Sequence, residues 1–322
     1  MDGGNVECVR MLFQAISGRP DPLVSDALDS MMQKTNQSGM TPLLVAVMHN
    51  QLELVRWLLG VFGARIPGAV NNSVGGATVF HYAAALGSVE LLTLLHQHLP
   101  ALAGLGVPKT GKLPIHLAVH TGHLEAAQFL NRITTNGLLA KSVDGMNCFH
   151  QAVQNGHLPC LEWMVKEMLA KGKLIADCLT YIDNEQASLF HFAAAFGETK
   201  CMQFLLHCLP DKSFAVNTRD VWGRTPLHDA AEKNHLNCFK LLLASGADIY
   251  SKDKVRSHNS YPVYIIGAAS SVWLVLMVMT ERRVCACVHT FVCHCLPVFK
   301  GRNPVSLPCS PIYPSLSYGQ NK

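Results

Sequence analysis

The chain has 322 residues, 49% of them hydrophobic and 15% charged, with a net charge of +4 at neutral pH. Its lysines and arginines are scattered rather than clustered, which excludes the electrostatic footprint of a nucleic-acid-binding surface. No apolar core of a secretory signal stands near the start, and the twelve cysteines are not placed as the framework of a small secreted domain.

In chain order, residues 4–13 (GNVECVRMLF) read as an amphipathic helix, and residues 17–36 as a connector. A short signal then recurs, each time followed by a second amphipathic stretch. It reads TPLLVAV at Thr41, TVFHYAA at Thr78, LPIHLAV at Leu113, NCFHQAV at Asn147, SLFHFAA at Ser188 and TPLHDAA at Thr225, at spacings of 34 to 41 residues. The last copy is the clearest. Gly223 lies in a turn that favours positive φ. Thr225 is placed to cap a first helix with its hydroxyl, and Pro226 sits in the first turn, where its missing N–H costs nothing. Leu227, Ala230 and Ala231 form a narrow apolar face, Leu236 to Ala244 make a second helix, and Gly246 ends it. Gly87, Gly122 and Gly156 hold the turn between the paired helices, and Asn50 and Asn234 replace glycine there. Repeat four runs long through Lys166 to Thr180, and irregular hairpins are expected over 60–73 and 98–111.

A period in the mid-thirties carrying T-P-L-H-x-A resembles the ankyrin repeat. The resemblance implies an all-α repeat solenoid of stacked helix-turn-helix units with short β-hairpins, followed by a non-repeat tail. A partial repeat and connector would occupy 1–36, six repeats 37–254, and the tail 255–322. Cys8, Cys160, Cys201 and Cys238 fall at matching second-helix positions, where a reduced cysteine packs as a small hydrophobe. The array therefore reads as cytoplasmic or nuclear.

The resemblance also implies a non-catalytic scaffold that binds a protein partner through hairpin tips and the concave face of its first helices. It implies no cofactor, no metal, no nucleic acid and no small-molecule substrate, and membrane association is disfavoured. The concave positions carried over are Val45, Met48 and His49; Tyr82, Ala85 and Leu86; Leu117, His120 and Thr121; Gln151, Gln154 and Asn155; Phe192 and Phe196; and Asp229, Glu232 and Lys233. Among them, Tyr82, Leu86, Phe192 and Phe196 would suit anchors for a partner. Two other classes fit the same residues: an ankyrin segment of a larger signalling, channel or enzyme protein, and a membrane-anchored ankyrin protein using 263–279.

His81, His116, His150, His191 and His228 share one repeat position. Spaced about a helix-packing distance of 10 Å apart, they cannot close around one metal ion. The resemblance gives them hydrogen bonds to backbone groups between adjacent units instead. Asn217, with Val216 beside it and Leu209 eight residues before, resembles the target of the asparaginyl hydroxylase that modifies ankyrin repeats, although Ala215 departs from the acidic residue often found there. An asparagine that merely ties its hairpin together is the plainer reading.

After Lys254 the pattern stops. Ser257 to Thr280 carry no charge, and the 17 residues from Val263 to Met279 are at the short limit for a membrane span. Cys285, Cys287, His289, Cys293, His294 and Cys295 alternate or adjoin, which fails the spacing of structural zinc sites. The tail reads as disordered or unevolved sequence, its composition matching translated intron. A helix over 263–279 leaning on repeat six is the expected default.

Overall fold

Each repeat opens where an extended residue turns its side chain back onto the helix it precedes, and proline follows in several copies because the first turn has no use for an N–H. The computed structural model describes residues 32–37, 39–62, 76–135, 137–174, 181–209, 212–251 and 253–254, together with the backbone of three strands beyond them. All of these belong to one unit, residues 1–287; residues 288–322 form a second unit, outside the described residues, as does the expected helix over 4–13.

Six helix pairs account for the array. They are α1 (Pro42–Met48) with α2 (Leu52–Phe62), α3 (Val79–Leu86) with α4 (Val89–His98), and α5 (Pro114–His120) with α6 (Leu124–Ile133). The rest are α7 (Cys148–Gln154) with α8 (Leu158–Ala170), α9 (Leu189–Phe196) with α10 (Thr199–Cys208), and α12 (Pro226–Glu232) with α13 (Leu236–Ala244). A short extra helix, α11 (Lys212–Val216), lies between the last two pairs. First helices stack in sequence order, α1 on α3 through to α9 on α12, and second helices do the same from α2 to α13. The architecture is an all-α solenoid. Small residues let the first helices approach closely: Ala83, Ala84, Ala118, Ala152, Ala193, Ala194 and Ala230 are all buried there. Phe80, Phe149, Phe190 and Phe239 fill the larger gaps. Cys160, Cys201 and Cys238 are buried among them, and burial raises their thiol pKa values, so they pack rather than react.

The caps differ in detail from the sequence expectation. Thr225 does flank α12, but its hydroxyl pairs with the His228 ring at 2.8 Å. The ring accepts the backbone N–H of Thr225 at Nδ1, 3.1 Å away. The same backbone-to-Nδ1 bond recurs at Thr78–His81, Leu113–His116, Asn147–His150 and Ser188–His191. An Nδ1 that accepts must be unprotonated, so the proton of the neutral His81, His116 and His191 rings sits on Nε2; at His150, Nδ1 also lies 2.8 Å from the Asn147 Oδ1, which can only accept. That N–H then donates to a carbonyl of the next repeat: Lys112 from His81 (2.9 Å), Ala140 from His116 (2.9 Å) and Arg224 from His191 (3.0 Å). Each histidine thus closes its own helix start, and His81, His116 and His191 also clamp the following hairpin.

The turn between paired helices needs positive φ in every repeat. Gly87, Gly122, Gly156 and Gly197 adopt 70° to 80°, and the non-glycine substitutes Asn50 and Asn234 take 53° and 61°. A Cβ on Gly122 would lie 2.6 Å from the ring of His157, whose Nε2 donates to the His120 carbonyl. Gly122→Ala is therefore expected to cost about 1–3 kcal/mol, from left-handed strain and the displaced ring together. Urea unfolding at constant m-value would measure it.

Neighbouring hairpins are joined by single backbone bonds: Val143 N–H to Thr110, Asn184 N–H to Asp144, Val221 N–H to Glu185 and Lys254 N–H to Trp222. Among the described residues formal β pairing within them includes an isolated antiparallel bridge of Ile182 with Ser188. Repeat four is long as expected, α8 continuing to Ala170, while 175–180 and 63–75 lie outside the described residues. Over 98–111 the chain makes a short 3₁₀ turn at Pro100–Leu102.

The helix expected over 263–279 is replaced by an antiparallel sheet in the order β1 (Tyr264–Gly267), β2 (Leu274–Thr280), β3 (Arg283–Ala286). Tyr264 pairs with Met277 and Thr280 with Arg283. The density of β-branched residues, Ile265, Ile266, Val275 and Val278, accounts for the extended choice. The backbone of β2 passes beside α12. Among the described residues no helix is long and apolar enough to cross a membrane.

Candidate functional site

Stacking the first helices side by side places residues of equivalent register in a row along one face. The residues at the C-terminal half of each first helix line it: His49, Leu86, His120, Thr121 and Phe196 are exposed, and Tyr82, Leu117, Gln154, Asn155 and Phe192 are half-buried. Leu86 is 42% and Phe196 47% exposed, the two large apolar side chains of the first helices that reach solvent most freely. Phe192 and Phe196 stack one helical turn apart, centroids 6.4 Å and planes 6° from parallel. Behind them, the His150 ring meets Phe192 edge-on at 5.1 Å.

Three residues expected on this face are buried instead, the first being Val45 in the first repeat, 7% exposed. Gln151 is 1% exposed, covered where its Oε1 meets His120 Nδ1 at 3.0 Å. Asp229 is 4% exposed, drawn inward by the Arg224 guanidinium. Arg224 also donates to Asp220 at 3.2 Å and Glu232 at 2.8 Å, and lies 5.7 Å over the ring of Trp222. Burial pushes the Asp229 carboxyl up to about 7 against the opposing pull of Arg224. Sequence position alone gave no sign of this, because Arg224 belongs to the hairpin rather than to the helix. Lys233, beside Glu232 at 3.3 Å, is exposed as expected.

Charge is segregated over the array. The first helices PLLVAVM, VFHYAAAL, PIHLAVH, CFHQAVQ and LFHFAAAF contain no Asp, Glu, Lys or Arg; PLHDAAE alone departs. Charged side chains cluster on second helices (Glu53, Arg56, Glu90, Glu125, Arg132, Lys166, Lys240) and hairpins (Lys141, Asp144, Glu185). Among the described residues, no group of three or more His, Cys, Asp or Glu is arranged to hold a metal ion. The repeated histidines are spent on the backbone bonds above. The cysteine–histidine cluster at 285–295 lies outside the described residues but for the backbone of Cys285 and Ala286.

Asn217 occupies a hairpin-bracing position. Its amide donates to Ser213 at 2.8 Å and Gly246 at 3.0 Å, and its Oδ1 accepts the Asp248 N–H at 2.7 Å. Two of these three bonds, those to Gly246 and Asp248, reach across repeat six to the turn that follows it.

Models of ankyrin repeats match residues 38–67, 80–130, 116–213 and 149–253, covering the helix pairs from end to end. The chain belongs to the ankyrin repeat family. Ankyrin repeats are protein–protein interaction modules. The B-cell lymphoma 3 protein homolog of Mus musculus is 27% identical over 258 residues, 79% of this chain and 53% of that protein. Synphilin-1 of Mus musculus is 27% identical over 156 residues (47% and 16%), and the nuclear factor NF-kappa-B p105 subunit of Rattus norvegicus 27% over 179 residues (55% and 17%). The chain spans about half or less of the length of these relatives.

Proposed function

We propose that this chain is a non-catalytic adaptor that binds a protein partner across the concave face of its first helices, in the cytoplasm or nucleus. One observation carries the reading: the exposed row of uncharged side chains, with Leu86 and Phe196 standing out from it, on a molecule whose charges lie elsewhere. Aromatic and aliphatic groups kept wet in the free protein are the usual anchors of an interface, since burying them releases water without stranding a charge. Tyr82, Leu117, His120, Gln154 and Phe192 extend the same surface, and Lys233 marks its charged end. Asp229 and Gln151 act from beneath, holding Arg224 and His120. Three enclosing groups suited to a reaction, a nucleophile, its base and an orienting acid, are not gathered on this face.

The test is a photo-crosslinking residue placed singly at His49 or Thr121 on the concave face, or at Glu90 or Lys240 on second helices. Protein adducts from cells are expected from the first two positions and at least several-fold fewer from the others. Equal adducts from both faces, or adducts from second helices alone, would overturn the reading.

A further inference from the structure

The concave face is specific about what it lacks and about what it leaves unpaired. Five successive first helices contribute no Asp, Glu, Lys or Arg to it. A charged partner side chain brought onto this face would lose its hydration and find no counter-ion, at a cost an uncharged one does not meet.

At the centre of the face, hydrogen bonding is frustrated. His120 Nδ1 lies 3.0 Å from Gln151 Oε1 and 2.9 Å from Asn155 Nδ2. One ring nitrogen carries either a proton or a lone pair, so it can serve the carbonyl oxygen or the amide N–H but not both. Turning the Gln151 amide over would aim two NH₂ groups at the same nitrogen, and turning Asn155 over would sacrifice its 2.8 Å bond to the Gln151 carbonyl. Every arrangement leaves a polar group without a partner, and Gln151 Nε2 is buried with none. The half-buried side-chain amide of Gln154, one turn of helix away, makes no hydrogen bond among the described residues either. The group that answers an unpaired donor and an unpaired acceptor together is a peptide unit, which carries one N–H and one C=O. A helix has already used both within itself; an extended chain has not.

On either side of this polar centre lie apolar groups, exposed Leu86 beside half-buried Tyr82 on α3, and exposed Phe196 stacked on half-buried Phe192 on α9. They are three repeat steps apart, about 27 Å at a helix packing distance of about 9 Å. An extended chain covers that in about eight residues at about 3.3 Å each.

We infer that the concave face across repeats two to five takes an extended, uncharged peptide segment of its partner, with bulky apolar side chains about eight residues apart seated on Leu86 and Phe196 and a peptide unit between them paired to the amides of Gln151 and Gln154. His120 is an exposed side chain at the end of its helix, so its ring turns aside to open the Gln151 amide. This rests on the proposed concave binding face and names the chemistry that face selects.

The experiment is selection of a displayed library of random peptides, about sixteen residues long, on the full chain, alongside Leu86→Ser, Phe196→Ser and Gln154→Ala variants whose melting is unchanged. Enriched peptides are expected to carry two bulky apolar residues seven to nine positions apart, with Asp, Glu, Lys and Arg depleted between them. Each variant is expected to weaken the best peptides at least tenfold. Enrichment of charged peptides, of apolar residues at helical spacing, or of peptides indifferent to all three substitutions would overturn the inference, as would no enrichment above an unrelated protein. Concave crosslinks to a partner in cells, combined with any of those results, would leave the binding face standing and remove only the extended peptide.

Discussion

Ala152→Asp is expected to cost about 3–5 kcal/mol, the range for a buried charge left without a partner. Ala152 is fully buried in α7, with α5 stacked on one side and α9 on the other, so the carboxylate has neither water nor a cation and no room to turn outward. In a solenoid each unit is held by its own packing and by its two interfaces, so damage at the middle weakens both couplings. The same substitution at Ala230, which is also buried but sits in the last described helix pair, weakens one repeat interface and should release repeat six while the rest stays folded. Urea titration followed by far-UV circular dichroism distinguishes the two: a large loss of midpoint for Ala152→Asp, and an early partial step for Ala230→Asp. Gln154→Ala, on the open face two residues away, should stay within about 0.5 kcal/mol. If Gln154→Ala matched Ala152→Asp, the assignment of inner and outer faces to the first helices would be wrong.

The faces themselves were legible in the sequence because the repeat is a local code. A narrow small-residue face on the first helix, a glycine or asparagine at the inter-helix turn, and apolar residues at helical spacing on the second helix each act within a few residues and recur in all six repeats, with Thr-Pro opening two of them. Asn50 and Asn234 were readable as left-handed turn residues for that reason. Long-range effects were not readable. Gln151 and Asp229 share a register position that is half-buried at Tyr82, Leu117 and Phe192, yet a histidine one repeat away covers the first and a hairpin arginine captures the second. The caps show a subtler shift. Thr41 and Asn147 do cap their helices with side-chain oxygens, but where a histidine stands three residues on it also takes the N–H of the cap residue itself, a role invisible until the ring is placed. In the tail, an uncharged run suited either a helix or strands, and its β-branched residues chose strands. The partner-facing role of Tyr82, Leu117, Phe192 and Lys233 remains a proposal drawn from the family resemblance and from exposure.

Acid should unravel the array through the same histidines that assemble it. His81, His116, His150, His191 and His228 all have pKa values lowered, burial being the largest cause in each, and His150 is brought to about 4. His150 is the weak member of the ladder: the carbonyls of Ala187 and Tyr181 are near enough to favour its proton, but its Nε2 completes no well-aligned hydrogen bond. The unfolded chain takes up these protons near pH 6.5, before the folded one does. Stability is therefore complete above that value and falls as the pH drops through the folded pKa values, by about 3 kcal/mol for His150 alone. Protonation is also structurally destructive, because Nδ1 must then donate where a backbone N–H already points at it. Asp229 acts in the opposite sense. Its carboxyl pKa is raised to about 7, so its contribution is greatest at low pH and is lost as pH rises through about 7. Over this range the Asp229 gain offsets a loss about the size of that from His150, which leaves the other four lowered rings to set the fall. The melting temperature is thus expected to fall steeply between pH 6.5 and 4.5, and His150→Gln should flatten that fall even if it lowers stability at pH 7.5. A melting temperature constant across that range would mean that the rings already carry their protons in the folded array, and the Nδ1-acceptor ladder would have to be abandoned.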